Sequence, residues 1–337
     1  MMFLTSNHTL INSTETQFGG QATVILTILY SAIFVLSITG NGAMLTVLHK
    51  RFRRKSSSDL LLLNMVISET LVVGICVPFD LISLQTGEMW VFGEVMCKIL
   101  WPLQTFPYGV LVWTLMLIST ERFKIVAFPM KKKSYTRKHI LIVVFTWLLS
   151  LLTVTPYATV LQMKDGYCVE TWGLIVRRVY TAILFTSQYA IPLIIIAVCY
   201  FFIGCKMQKT TKKMQRHISG RDRALSKRER RQKLLVRMVV LFVVVFAICM
   251  LPHHVFWLLN DFGAIHSYSY YVQTFSYVFT FASTLANPVI YFTHNSGFKK
   301  DLISIFCPCA QHYELIHKGS LKGMTTRLSP SRFSTEV

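Results

Sequence analysis

"LISTERFKIVAF", residues 117–128, closes a long apolar run with an acid and an arginine side by side. Glu121 and Arg122 are either ordinary surface charges or a pair held together by their surroundings. Which of the two depends on the solvent around the segment. The chain has 337 residues, of which 53% are hydrophobic and only 15% charged, with a mean hydropathy of +0.48. A water-soluble domain carries about 25% charged residues, so this chain lacks the polar surface that water requires.

Seven apolar stretches can be marked, at about 22–49, 58–85, 95–127, 137–161, 176–206, 232–260 and 268–293. Each offers the ~20 residues a helix needs to cross ~30 Å of hydrocarbon. Backbone groups in lipid must be satisfied within the segment, so these are helices. The expectation is an all-α seven-transmembrane helix bundle over 22–293. Residues 1–21 precede it, 294–309 form a short amphipathic helix, and 310–337 form a Ser/Thr-rich disordered tail.

All but four of the 35 lysines and arginines fall on one side of these spans, the exceptions being Lys98, Lys164, Arg177 and Arg178. The positive-inside rule makes that side cytoplasmic. The chain is then a multi-pass plasma-membrane protein with its N-terminus extracellular. Residues 1–21 lack the basic n-region and apolar core of a signal peptide. They carry glycosylation sequons at Asn7 and Asn12. The net charge of +20 does not mark a nucleic-acid binder, because the cations flank spans where anionic lipid and a cytosolic partner meet them. Cys97 and Cys168 fall on the oxidising side, which predicts a disulfide. Cys307 and Cys309, just past the last span, are palmitoylation candidates. No His/Cys cluster has metal spacing, no cofactor motif is present, and neither a phosphate loop nor an intramembrane protease motif suggests an enzyme.

Polar residues inside spans are expensive and tend to be functional. Those present are Asn41, Asn64, Glu69, Gln104, Glu121, Arg122, Tyr200, His253, His254, Asn287 and Tyr291. Together with "WVFG" before Cys97, Trp147, Pro192, "FAICMLP" at 246–252 and "NPVIY" at 287–291, they fall in order, each on its own span. The chain resembles the rhodopsin-like (class A) G protein-coupled receptors over about residues 22–309. The resemblance implies that Glu121 holds Arg122 at rest, and that Arg122 swings free to meet a heterotrimeric G protein. It implies too that Tyr200 and Tyr291 then join near Arg122. Pro192, Pro252 and Pro288 kink their helices and provide hinges for outward movement of the sixth.

The sequence departs from the family pattern at several points. Glu69 stands where the family usually has aspartate and Leu111 where it often has serine, which argues against the family's sodium site. Met250, four residues after Phe246, replaces the usual tryptophan, and Gln232 replaces an acid that locks the arginine in many relatives. Elevated basal signalling is one expectation from these changes.

Gln104 lies about five turns outward from Arg122 at 3.6 residues per turn. An amine receptor has aspartate there, and an opsin needs a lysine in the seventh span, which has none. The outer side carries Glu15, Asp80, Glu88, Glu94, Asp165, Glu170 and Asp261 against its four cations. "VPF" at 77–79, "TGEMWVFGEVMCK" at 86–98, Gln104 and Asp261 resemble receptors for amidated neuropeptides of the neuropeptide Y and RFamide type. That resemblance implies an acid at Asp261 pairing with a ligand arginine and Gln104 contacting the amidated end. Glu170, placed by the disulfide over the mouth, and His253, His254, Trp257, Tyr277 and Phe281 complete the expected ligand site. On the cytoplasmic side, the basic stretch 206–237 extends helices five and six toward the G protein. The tail is a target for receptor kinases and arrestin, and Thr335 and Val337 fit a PDZ-domain ligand. A lipid or small-molecule receptor, a constitutively active receptor and a transporter or channel remain as alternatives.

Overall fold

The structure is a computed structural model. It describes residues 13–52, 57–87, 89–128, 137–215, 222–263 and 270–306. Asn7, Asn12, Glu88, Cys307, Cys309, Thr335 and Val337 lie outside these residues, as do the expected tail contacts. The chain divides into two compact units, Met1–Ile290 and Tyr291–Val337.

The first unit is a helix bundle. Its helices are α1 (Ser13–Phe52), α2 (Ser57–Thr86), α3 (Gly93–Ala127), α4 (Arg137–Val160), α5, α6 (Asp222–Asp261) and α7. α5 comprises Leu174–Phe185, a π-helical turn Thr186–Ala190, and Ile191–Gln215. α7 comprises Tyr270–Ala282, a 3₁₀ turn Ser283–Leu285, and Ala286–His294, whose end enters the second unit. Among the described residues, five helices are long and apolar enough to cross a membrane by themselves. α7 is broken by its 3₁₀ turn, and the half of α3 nearest Cys97 is diluted by Trp101, Pro102, Gln104, Pro107 and Tyr108. The helices begin and end beyond the expected spans. α1 starts at Ser13 rather than 22, because a polar but helix-tolerant lead-in continues the same ladder. α5 and α6 run on through basic sequence, as expected of that stretch.

Apolar residues face outward as well as inward. On α4, Leu141, Val144, Phe145, Leu148, Leu151 and Leu152 form an exposed stripe at helical spacing, while Thr146, Ser150 and Val154 are buried. Where that small face meets α3, a Cβ on Gly109 would come within 2.9 Å of the Ser150 Oγ. Small residues at such crossings let helices approach closely in lipid, where burying oil against oil gains little.

Two sequence motifs explain each other at the α1–α7 crossing. Pro288 has no N–H, so the carbonyl of Thr284 four residues earlier loses its usual partner. Asn41 Nδ2 donates to that carbonyl at 3.2 Å. Gly40 lets the proline ring in, since a Cβ there would lie 2.9 Å from Pro288 carbons. The Ser37 and Thr284 hydroxyls add a 2.8 Å hydrogen bond beside it. Pro192 has an equivalent effect on α5. It follows the π-helical turn, and one wider turn is a common way to absorb a break in the ladder.

Between α4 and α5 the chain forms a hairpin that span-reading alone treats as a loop. Strands β1 (Leu161–Lys164) and β2 (Tyr167–Glu170) pair antiparallel, with Met163 opposite Cys168. Asp165 and Gly166 both take positive φ, 50° and 82°, the Asp-Gly chemistry of a two-residue hairpin turn. Cys168 forms the expected disulfide with Cys97 at the start of α3. Trp90 N donates to Gly166 O at 2.8 Å, and Trp90 Nε1 to Gly93 O at 2.7 Å. The Trp90 ring packs with Phe79, Phe92 and Trp101 around the disulfide. "WVFG" is therefore the clasp that seats the hairpin on the bundle.

In the second unit, α8 (Ser296–Phe306) follows α7 directly. Asn295 Oδ1 accepts from Phe298 N at 3.0 Å, starting the helix. Phe298 is fully buried against Tyr291 and Phe292. Ile303 is exposed, so the apolar face that Phe298, Leu302 and Ile303 give this helix is only partly covered within the unit.

Candidate functional site

A cavity of about 160 Å³ opens at the hairpin end of the first unit. α6 lines it from Met250 to Asp261, a depth of roughly 16 Å at 1.5 Å per residue. Every residue expected to meet a ligand is on its wall: Gln104, Glu170, His253, His254, Trp257, Asp261, Tyr277 and Phe281. α3, the hairpin, α6 and α7 contribute these side chains, so the bundle converts residues up to 177 positions apart into one surface. His253 and His254, adjacent on α6, both reach the wall, their rings 5.3 Å apart. His253 packs on Tyr277 at 5.3 Å and His254 on Tyr189 at 4.6 Å. These contacts make them parts of an aromatic lining.

Position-by-position reading missed how the wall's charged groups are partnered. Asp80, counted among the acids of the outer side, lies within α2 and is buried; its Oδ1 accepts from Gln104 Nε2 at 2.9 Å. Glu170 accepts from Tyr157 OH at 2.9 Å and Trp172 Nε1 at 2.6 Å. Asp261 is 1% exposed and pairs with Arg177 of α5, Nη2 to Oδ1 at 3.1 Å. Thr181 Oγ1 donates to its Oδ2 at 2.5 Å. The carboxylate expected to wait for a ligand arginine already holds one from its own chain. Arg177 is one of the four cations that the charge pattern left on this side, which was the available signal.

Two separate polar clusters tie the helices together away from the cavity wall. Asn287 Nδ2 donates to Glu69 Oε1 at 2.6 Å, joining α7 to α2. Asn64 accepts from Trp147 Nε1 at 2.8 Å and donates to Thr114 Oγ1 at 2.7 Å, joining α2, α3 and α4. Leu111 is buried. Phe246 and Met250 are buried on α6, and Met250 reaches the cavity. Pro252, two residues past Met250, lies inside the unbroken helix.

At the opposite end of α3 the expected Glu121–Arg122 ion pair is absent from the ion pairs of the described residues. Glu121 Oε2 instead accepts from Ser58 Oγ on α2 at 3.4 Å. Neighbours on a helix point about 100° apart, so the two charges diverge. Arg122 is 8% exposed and its Nε has no hydrogen-bond partner. The Tyr200 hydroxyl on α5 is likewise buried without one. Tyr291 belongs to the second unit, where it packs on Phe298.

A bundle of seven helices, with a disulfide-anchored hairpin beside a cavity and buried polar clusters joining its helices, has the architecture of a transmembrane receptor. The chain belongs to the rhodopsin family of seven-transmembrane receptors, whose family model matches residues 40–291. It is therefore a multi-pass membrane protein of a receptor family, not of an enzyme class. Neuropeptide Y receptor type 6 of Mus musculus is 27% identical over 90% of this chain and 87% of its own length. Neuropeptide FF receptor 1 of Homo sapiens is 29% identical over 83% and 70%. Neuropeptide receptor 22 of Caenorhabditis elegans is 27% identical over 85% and 71%.

Proposed function

We propose that this chain is a plasma-membrane receptor for an amidated neuropeptide, with the hairpin end outside the cell and the Arg122 end facing a heterotrimeric G protein. The observation that carries the reading is the cavity. It combines three carboxylates with a lining of Trp, Tyr, Phe and His rings. An aromatic wall with a few placed polar groups suits a peptide end that carries a bulky side chain and donors. Its volume lies below the roughly 300–1,000 Å³ of drug-sized ligand sites, so the ligand's end enters and the rest stays at the mouth near Glu170. The relatives named above, called receptors for neuropeptide Y and neuropeptide FF, support the same class.

In this reading Gln104, Glu170, His253, His254, Trp257, Tyr277 and Phe281 touch the ligand. Asp261 is reached only by a ligand that displaces Arg177. Ligand seated against Met250 shifts α6 about Pro252, and the helix end carrying the basic stretch moves outward. Arg122, with Tyr200, then engages the G protein. Glu69 and Asn287 hold α2 and α7 together during the change. Asn7 and Asn12 carry glycans, Cys307 and Cys309 carry palmitate, and receptor kinases, arrestin and a PDZ-domain protein read the tail.

The test uses cells expressing the full chain with a promiscuous G protein and a calcium readout. They are challenged with amidated peptides and the matching free acids. An amidated peptide that signals at least tenfold more potently than its free acid is the expected result. Responses confined to lipids or small amines, or equal potency of amide and acid, would overturn the peptide reading.

A further inference from the structure

The three carboxylates of the cavity differ in what surrounds them. Asp261 receives Arg177 and Asn260 on Oδ1, both at 3.1 Å, and Thr181 on Oδ2. Arg178 Nε also donates to its backbone carbonyl at 2.8 Å. Glu170 has a donor on each oxygen, Tyr157 and Trp172. Asp80 stands apart. It is 7% exposed, Gln104 donates to Oδ1, and Oδ2 has no hydrogen-bond partner. No lysine or arginine pairs with it among the described residues. Asp261 draws its guanidinium from within the chain, whereas Asp80 has only an amide.

A buried carboxylate with half its acceptor capacity unmet is costly, and the group that relieves it best is a positively charged donor. Asp80 and Gln104 lie side by side on the wall, so one ligand end can meet both. We propose that Asp80, not Asp261, anchors the positively charged group of the ligand, a guanidinium or ammonium close to its amidated end. Gln104 is left to receive the terminal amide. This rests on the peptide reading above and deepens it. It makes a basic side chain at the ligand's end a requirement, because a site built around a buried polar group strongly rejects analogues that leave the group unpaired.

The experiment measures thermal unfolding of the purified full-length protein with two matched probes. Nα-acetyl-L-argininamide carries the charge, and Nα-acetyl-L-citrullinamide is its neutral isostere. Near saturation the arginine compound should raise Tm by about 2 °C or more, and the citrulline compound by less than half as much. The shift should persist in Asp261→Asn, disappear in Asp80→Asn and survive in part in Asp80→Glu. Equal shifts from both compounds, no shift in wild type, or a shift lost in Asp261→Asn and kept in Asp80→Asn would each overturn the assignment. The comparison on wild type and Asp261→Asn needs no folded Asp80 variant. A calcium response to an amidated peptide that ignores exchange of arginine for citrulline would sink the Asp80 anchor and leave the peptide receptor standing. An Asp80-dependent shift without any peptide response would do the reverse.

Discussion

At the hairpin end of the bundle, Asp261 meets Arg177 and Thr181, Glu170 meets Tyr157 and Trp172, and Asp80 meets Gln104. At the Arg122 end, the guanidinium Nε and the Tyr200 hydroxyl are buried with no partner. Both ends bury polar groups in an apolar bundle and both leave some unmet, Asp80 Oδ2 and ring nitrogens of His253 and His254 among them at the hairpin end. The difference is that each of these three acids of the hairpin end has a donor, whereas among the described residues no acid pairs with Arg122. A buried polar atom left unpaired costs about 1–3 kcal/mol, which a different arrangement of helices recovers by supplying a partner. Pairs of the first kind fix a shape for recognition. Unmet groups of the second kind lower the cost of leaving the present arrangement.

The largest effect should come from cutting the hairpin end loose. Replacing Cys97 and Cys168 together by serine removes a link across 71 positions. A loss of about 2–5 kcal/mol is expected, read as reduced surface expression and a lower Tm. The aromatic clasp of Trp90, Phe79 and Trp101 would then hold the hairpin alone. If the double variant keeps wild-type Tm and expression, the hairpin end owes its shape to packing, and the contrast between the ends loses its main cause.

A smaller effect sharpens the same contrast. Arg177→Ala leaves Asp261 buried without its cation, which costs about 3–5 kcal/mol for a fully buried pair. Here Arg177 is partly exposed and Thr181 and Asn260 remain, so about 1–2 kcal/mol is expected. Arg177→Met with Asp261→Leu removes both charges and should recover most of the loss. A double-mutant cycle on Tm measures the coupling. Additive losses would mean that the pair fixes nothing between α5 and α6.

The helices were legible because length and hydropathy suffice to mark a span, and the motif residues were legible because each sits at a fixed point on its own helix. Gly40, Asn41 and Pro288 show the limit of that. Each stood out in the sequence, but their shared task at the Thr284 carbonyl depends on α1 lying against α7. The hairpin carried its own signal, Asp165-Gly166, which a search for spans passes over. The ion pair could not be read. Arg177 and Asp261 are 84 positions apart, and nothing local distinguishes an acid that is paired from one that awaits a partner. Asp80 fell inside the marked span, but nothing local shows that its carboxylate is buried and turned to Gln104 of α3.

The smallest expected change in stability tests the other end. Tyr200→Phe removes a hydroxyl that lies beside Ser119 without forming a well-aligned hydrogen bond, so little is lost in the resting protein but the cost of burying it. Stability should stay within about 0.5 kcal/mol of wild type or rise slightly. If that hydroxyl finds its partner only when α6 has moved, agonist-driven signalling should fall several-fold while ligand affinity at the hairpin end changes little. The two readouts separate the ends of the molecule in one variant. A marked drop in Tm would show that the hydroxyl is satisfied at rest, and unchanged signalling would show that it has no partner after the change either. In both cases the unmet groups near Arg122 would cease to be a reserve for activation, and the asymmetry would reduce to packing.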